Sequence, residues 1–182
     1  MRPVKILVLA SAMLASTTGT ALAQQAFVTP FIGYNFGGDS VNCVSFRNCD
    51  VKRTNIGVSM GKTNRLFGVE QDISYARHFF GDTPGSANSM LTAMSSFLVA
   101  APLGPVQPYG LFGIGLMRAR TAAGTKNALG YDIGAGMNLF LTNRLGLRGD
   151  VRRMRSLHNV TLFVFSGEKL EFWRASLGVV LR

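Results

Sequence analysis

The chain has 182 residues, 47% of them hydrophobic and only 15% charged, and 19 Lys and Arg against 9 Asp and Glu give a formal charge of +10. An average soluble domain is about one quarter charged, so this composition excludes intrinsic disorder and under-supplies an ordinary soluble surface. The 21 glycines follow no G-X-Y period and prolines number only 6, which excludes collagen and low-complexity linkers.

Residues 1–23, MRPVKILVLASAMLASTTGTALA, read as a secretory signal peptide. Arg2 and Lys5 make a basic start, Ile6 to Ala15 an apolar run, and Ala21-Leu22-Ala23 a small-residue ending that predicts cleavage before Gln24. The apolar run is too short for a membrane helix, which needs roughly 20 such residues. No later stretch reaches 18 apolar residues in a row, so the exported chain, one domain over 24–182, is soluble or a β-barrel.

From Ala26 onward, segments of about ten residues alternate with period 2 between clusters of Gly, Asn, Asp and Pro, the pattern of antiparallel strands. Strands are predicted at 26–36, 54–62, 66–79, 88–100, 107–118, 128–141, 144–155 and 170–181. That is an even number. Connections alternate between long (37–53, 80–87, 119–127, 156–169) and short (63–65, 101–106, 142–143), the asymmetry of outer-membrane barrels. Cys43 and Cys49 fall in the first long connection and pair most simply with each other in an oxidising compartment. His78 and His158 stand apart from any ligand cluster, so no metal and no cofactor is assigned.

The strand faces carry the chemistry. In the third strand Phe67, Val69, Ile73 and Tyr75 share one face with Gln71, and Gly68, Glu70, Asp72, Ser74 and Ala76 share the other. The sixth sets Leu129, Tyr131, Ile133, Ala135, Met137, Leu139 and Leu141 against Gly130, Asp132, Gly134, Gly136 and Asn138. The seventh sets Leu145, Leu147 and Val151 against Gly146, Arg148, Asp150 and Arg152. Alternation alone suits a soluble barrel as well as an inverted one. Glycines on the charged face decide, because a narrow eight-stranded barrel has space inside for its side chains and little more. The predicted interior therefore holds Glu70, Asp72, Asp132 and Asp150 against Arg148, Arg152 and Arg174. Burying them unpaired would be costly, so an ion-pair network is expected. The parity of the fourth and fifth strands stays open.

Tyr34, Phe36, Phe79, Phe80, Phe140, Phe172 and Trp173 lie near predicted strand ends, where aromatic girdles meet membrane interfaces. Arg47, Lys52, Arg53, Arg118, Arg120 and Lys126 fall in or beside long connections and suit an anionic lipopolysaccharide surface; export argues against nucleic acid.

Five stretches carry a family resemblance: FVTPFIGYNFGGD (27–39), GVEQDISYARHFFGD (68–82), GPVQPYGLFGIGLMRAR (104–120), GAGMNLFLTNRLGLRGDVRRMRSL (134–157) and FWRASLGVVLR (172–182). They resemble the outer-membrane β-barrel domain family of Gram-negative bacteria, eight-stranded relatives of the outer membrane protein A barrel. The resemblance implies an all-β, eight-stranded antiparallel up-and-down transmembrane β-barrel in the bacterial outer membrane, with periplasmic termini. It also implies partnership with outer-membrane lipid and the barrel insertion machinery. Such barrels usually end in Phe or Trp; this chain ends in Leu181-Arg182.

Two Ser-His-acid sets are present in sequence, Ser156, His158 and Glu168, and Ser74, His78 and Asp82. The order Ser156-Leu157-His158 lacks the His-x-Ser arrangement associated with lipid A deacylases, and a Ser and a His within a few residues match by chance in a chain this rich in Ser. Gly113 and Gly115 are followed by no helix and so make no dinucleotide site. An eight-stranded barrel is also too narrow for an aqueous channel. The expectation is a monomeric, non-enzymatic barrel whose strands anchor it and whose long loops, stiffened by a Cys43–Cys49 disulfide, form a contact surface with an unnamed loop partner. Its alternatives are a lipid A-modifying enzyme and a soluble periplasmic ligand-binding barrel.

Overall fold

Period-2 alternation demands a sheet with two unlike faces, and eight such strands can hide every backbone edge by closing on themselves. The computed structural model describes residues 25–37, 54–79, 88–121, 124–157 and 170–182. Its strands are β1 (Gln25–Phe36), β2 (Thr54–Thr63), β3 (Phe67–Arg77), β4 (Ser89–Ala100), β5 (Val106–Thr121), β6 (Gly124–Phe140), β7 (Leu145–Ser156) and β8 (Glu171–Leu181). Each pairs antiparallel with its sequence neighbours, and β8 returns to β1, closing the barrel in the order β1 to β8.

Short turns at one end are locally encoded. Asn64 Oδ1 accepts from the Phe67 N–H at 2.9 Å, and Thr142 Oγ1 from the Leu145 N–H at 3.0 Å. Each side chain thus satisfies a backbone donor that the turn would otherwise strand. Between β4 and β5, Leu103 bridges Val106 around Gly104, whose φ is 69°.

The opposite end departs from expectation at 119–127. No long loop lies there: β5 and β6 run on, pairing Arg120 with Thr125 and Thr121 with Gly124. Gly124 takes a φ of 130°, a region open to glycine and closed to most side chains. The small and polar residues of this stretch look like a loop, yet their backbone is paired: β5 stays against β4 as far as Arg120, and β6 before Gly130 pairs with β5 alone. β5 and β6 therefore reach 16 and 17 residues, against 10 to 12 for the other strands.

The burial pattern is inside out. Ile32, Ile56, Val69, Phe97, Phe112, Ile114, Ile133, Leu147 and Leu177 are exposed on the outer wall, while Glu70, Asp72, Asp132, Arg152 and Arg174 are fully buried within. A soluble barrel would reverse this arrangement. In β4 the inward residues are Met90, Thr92, Met94, Ser96, Leu98 and Ala100, and in β5 they include Tyr109, Leu111, Gly113, Met117 and Ala119. Both faces of these strands are largely apolar, which is why their parity is not legible in sequence.

Candidate functional site: a charged interior beneath an apolar seal

Residues two apart on a strand share a face, so β3 aims Glu70 and Asp72 inward, β6 aims Asp132, β7 aims Arg148, Asp150 and Arg152, and β8 aims Arg174. The barrel brings all seven together. Arg152 is central, with Nη2 2.7 Å from Glu70 Oε1, Nε 3.1 Å from Asp150 Oδ1 and Nη1 3.5 Å from Asp132 Oδ2. Arg148 joins Glu70 and Asp150, its Nε 3.1 Å from Asp150 Oδ2. Arg174 grips Asp72 with two donors, at 2.8 and 2.9 Å, the bidentate geometry that gives Arg–carboxylate pairs their strength and direction.

Neutral residues complete the network. Ser59 donates to Asp72 at 2.8 Å, Ser96 to Asp132 at 3.1 Å and Ser176 to Asp150 at 2.8 Å. The Tyr109 hydroxyl accepts from Arg148 Nε at 2.6 Å and donates to Asp150 at 3.0 Å. Arg148 also lies 4.6 Å from the Tyr109 ring centroid, and Arg174 lies 4.7 Å from that of Phe31. Sequence reasoning passed over Tyr109, Ser59, Ser96, Ser176 and Phe31. An inward parity for β5 would have found Tyr109, which shares a face with Gly113.

Interior glycines make room for this cluster. A Cβ at Gly136 would press on the Tyr109 ring and stand 2.6 Å from Asp150 Cβ, and one at Gly113 would collide with Ser96 and Asp132. Four carboxylates face three guanidiniums here, so the layer carries one acid more than it has arginines.

Toward the loop end the lumen turns apolar. Ala76, Phe79, Met90, Met94, Met117, Ala119, Met154, Leu170 and Phe172 form one buried cluster, with Phe79 and Phe172 edge to face at 4.8 Å. This corrects the girdle expectation for those two aromatics: both point inward, because the mouth must be filled with something that needs no hydrogen bonds. Phe140 is half-buried at the turn end beneath the Arg182 guanidinium, 3.5 Å from its ring centroid. Tyr34, Phe36 and Trp173 do face outward, with Phe36 stacked on Trp173. Phe80 lies outside the described residues.

Arg118, Arg120 and Lys126 are exposed at the loop ends of β5 and β6. Arg47, Lys52 and Arg53 lie outside the described residues, as do Cys43 and Cys49. Of the hydrolase sets, Ser74 turns inward and shares a 2.8 Å hydrogen bond with Thr92, while His78 is exposed at the rim with a φ of 53°. Ser156 is buried and accepts from the Leu170 N–H at 2.9 Å. Asp82, His158 and Glu168 lie outside the described residues.

An inverted barrel with a filled lumen is the architecture of small outer-membrane proteins, and the sequence matches the outer membrane protein beta-barrel domain over residues 7–182. The chain belongs to this family. Its fold is similar to that of Neisserial surface protein A, at 13% identity over 87% of this chain and 97% of that one, with a TM-score of 0.64. It also resembles the N-terminal β-barrel domain of Pseudomonas aeruginosa OprF, at 15% identity over 86% of this chain and 95% of that one, with a TM-score of 0.53. No curated protein matches the sequence. Family and fold point to the bacterial outer membrane.

Proposed function

We propose that this protein is a membrane-anchored contact module: the barrel holds it in the outer membrane as a monomer, and the segments at the loop end meet the outside. The observation that carries this reading is the filled lumen, where a salt-bridged layer lies beneath a Phe and Met seal and leaves the loop end as the functional surface. Export is assigned to residues 1–23, with cleavage before Gln24, and a Cys43–Cys49 disulfide is assigned to stiffen the segment 38–53.

The anionic partner within reach is lipopolysaccharide. Arg77, Arg118 and Arg120 point outward at the loop ends of β3 and β5, above the apolar band, where outer-leaflet phosphates lie. Envelope fractionation with boiled and unboiled gel samples tests the anchor, and lipopolysaccharide retained per purified barrel tests the contact. A heat-modifiable outer-membrane band is expected, and Arg77→Gln/Arg118→Gln/Arg120→Gln should retain several-fold less lipopolysaccharide. A soluble protein would sink the anchor; unchanged retention would sink the contact.

A further inference from the structure

Most of the outer wall is built from large apolar side chains, but where β6, β7, β8 and β1 adjoin, it is hollowed. Ala135, Gly149 and Ala175 face outward there, and register puts Gly149 between Met137 and Leu177. The hollow measures about 670 Å³, and its walls are almost wholly apolar. That falls within the roughly 300–1,000 Å³ range of small-molecule sites.

Gly149 differs from the interior glycines. A Cβ there would meet Leu177 at 3.4 Å, an ordinary contact, and its φ is not positive. Neither packing nor backbone conformation requires a glycine. Glycine weakens a strand interior, and where nothing in the fold demands it, close approach of a ligand is a standing reason for it.

Four residues further along the same face of β7, about 13 Å at the usual strand rise, stands Arg153, followed by Arg155. Both reach the single carboxylate of Glu171, Arg153 Nη2 at 2.7 Å and Arg155 Nε at 3.3 Å. Arg153 also lies 6.0 Å from the ring centroid of Trp173. Two guanidiniums on one carboxylate leave one positive charge in excess, beside the interfacial aromatic and at the loop end of the wall. Charge above and hollow below match an acylated lipid that carries a phosphate.

We propose that this face seats one lipid A molecule of the outer leaflet, with an acyl chain lying in the hollow over Gly149 and a phosphate held by Arg153 and Arg155. The proposal rests on the outer-membrane reading above and uses different strands from the arginines of the β3 and β5 rim.

Trp173 is the chain's single tryptophan and reports on the site directly. Delipidated full-length barrel in maltoside micelles is titrated with bis-phosphorylated lipid A while Trp173 emission is followed. A saturable change is expected, weakened at least tenfold in Gly149→Leu, in Arg153→Gln/Arg155→Gln, and when the lipid is dephosphorylated. Wild-type affinity in Gly149→Leu overturns the proposal, as does equal response to inorganic phosphate or equal competition by phosphatidylethanolamine. Ala175→Leu fills the hollow from β8 and serves if Gly149→Leu loses its heat-modifiable band. Failure of the outer-membrane reading would be distinct, because the wild-type chain would then fractionate without membrane.

Discussion

At the scale of single residues, the interior charges are unequal in what they hold. Arg148 touches Glu70, Asp150 and the Tyr109 hydroxyl, so Arg148→Leu takes one partner from each of three buried groups at once. Breaking a buried pair from one side costs about 3–5 kcal/mol, and the loss should appear as a lowered unfolding temperature in micelles, read by the gel band shift. Asp132 is held less tightly: its nearest guanidinium nitrogen is 3.5 Å away and its other partner is the Ser96 hydroxyl. It is also one of four carboxylates beside three arginines. Asp132→Asn keeps the Ser96 bond and removes the surplus charge, so its midpoint should move by less than about 1 kcal/mol-equivalent, whereas Asp72→Asn, which loses a bidentate partner, should lose about 3 kcal/mol or more. Equal effects from the two would refute this ranking. The outward Arg153–Glu171 pair is over one-third exposed on its arginine, and exposed pairs contribute about 0–1 kcal/mol, so Arg153→Gln should barely move the midpoint.

At the scale of elements, sequence and structure agree where the two faces differ in kind. β3, β6 and β7 set large apolar residues against glycine and charge, and their registers follow from that contrast, because a slip of one residue would put Glu70 or Arg152 into lipid. β4 is harder because Met90 and Met94 line the apolar part of the lumen, and Leu98 packs inside with Tyr109 and Leu111, while Leu91, Phe97 and Val99 face lipid. The alternation of hydrophobicity that identifies a face is absent when both faces are dry. Phe79 and Phe172 are ambiguous for the same reason, since an interior aromatic and a girdle aromatic carry the same letter. The extension of β5 and β6 is hidden differently: β6 before Gly130 pairs with β5 alone and its residues at 124–127 are exposed, so they look like a loop while their backbone pairs like a sheet. Gly124 at its tip has a glycine-only φ, so Gly124→Val should cost about 1–3 kcal/mol locally. Hydrogen exchange should rise from Gly124 to Asn127 with the barrel's own melting temperature unchanged; a global drop would show that this end of the hairpin is coupled to the wall.

At the scale of the whole molecule, two layers close the lumen independently. The seal of Phe79, Phe172 and four methionines is dry, and the layer beneath it is ionic. Truncating Phe172 to Ala should cost about 3–5 kcal/mol, the usual loss for a buried aromatic, without producing conductance in a planar bilayer, because the arginines still fill the barrel. Sustained single-channel current from Phe172→Ala would mean that the seal alone blocks the lumen.

The charged layer is also ordered along the chain. Among the described residues, β1 to β6 contribute three interior carboxylates, Glu70, Asp72 and Asp132, and no interior arginine; all three arginines arrive on β7 and β8. Arg174 meets Asp72 across 102 positions of sequence, and Arg152 meets Glu70 across 82. A chain with six strands assembled would hold three acids in a low-dielectric space with no counter-charge, while its open edges would expose unpaired backbone to lipid. Partial barrels are therefore poor resting places, and assembly in the membrane should proceed with little accumulation of intermediates until the C-terminal pair of strands neutralises the core and closes the ring in one step.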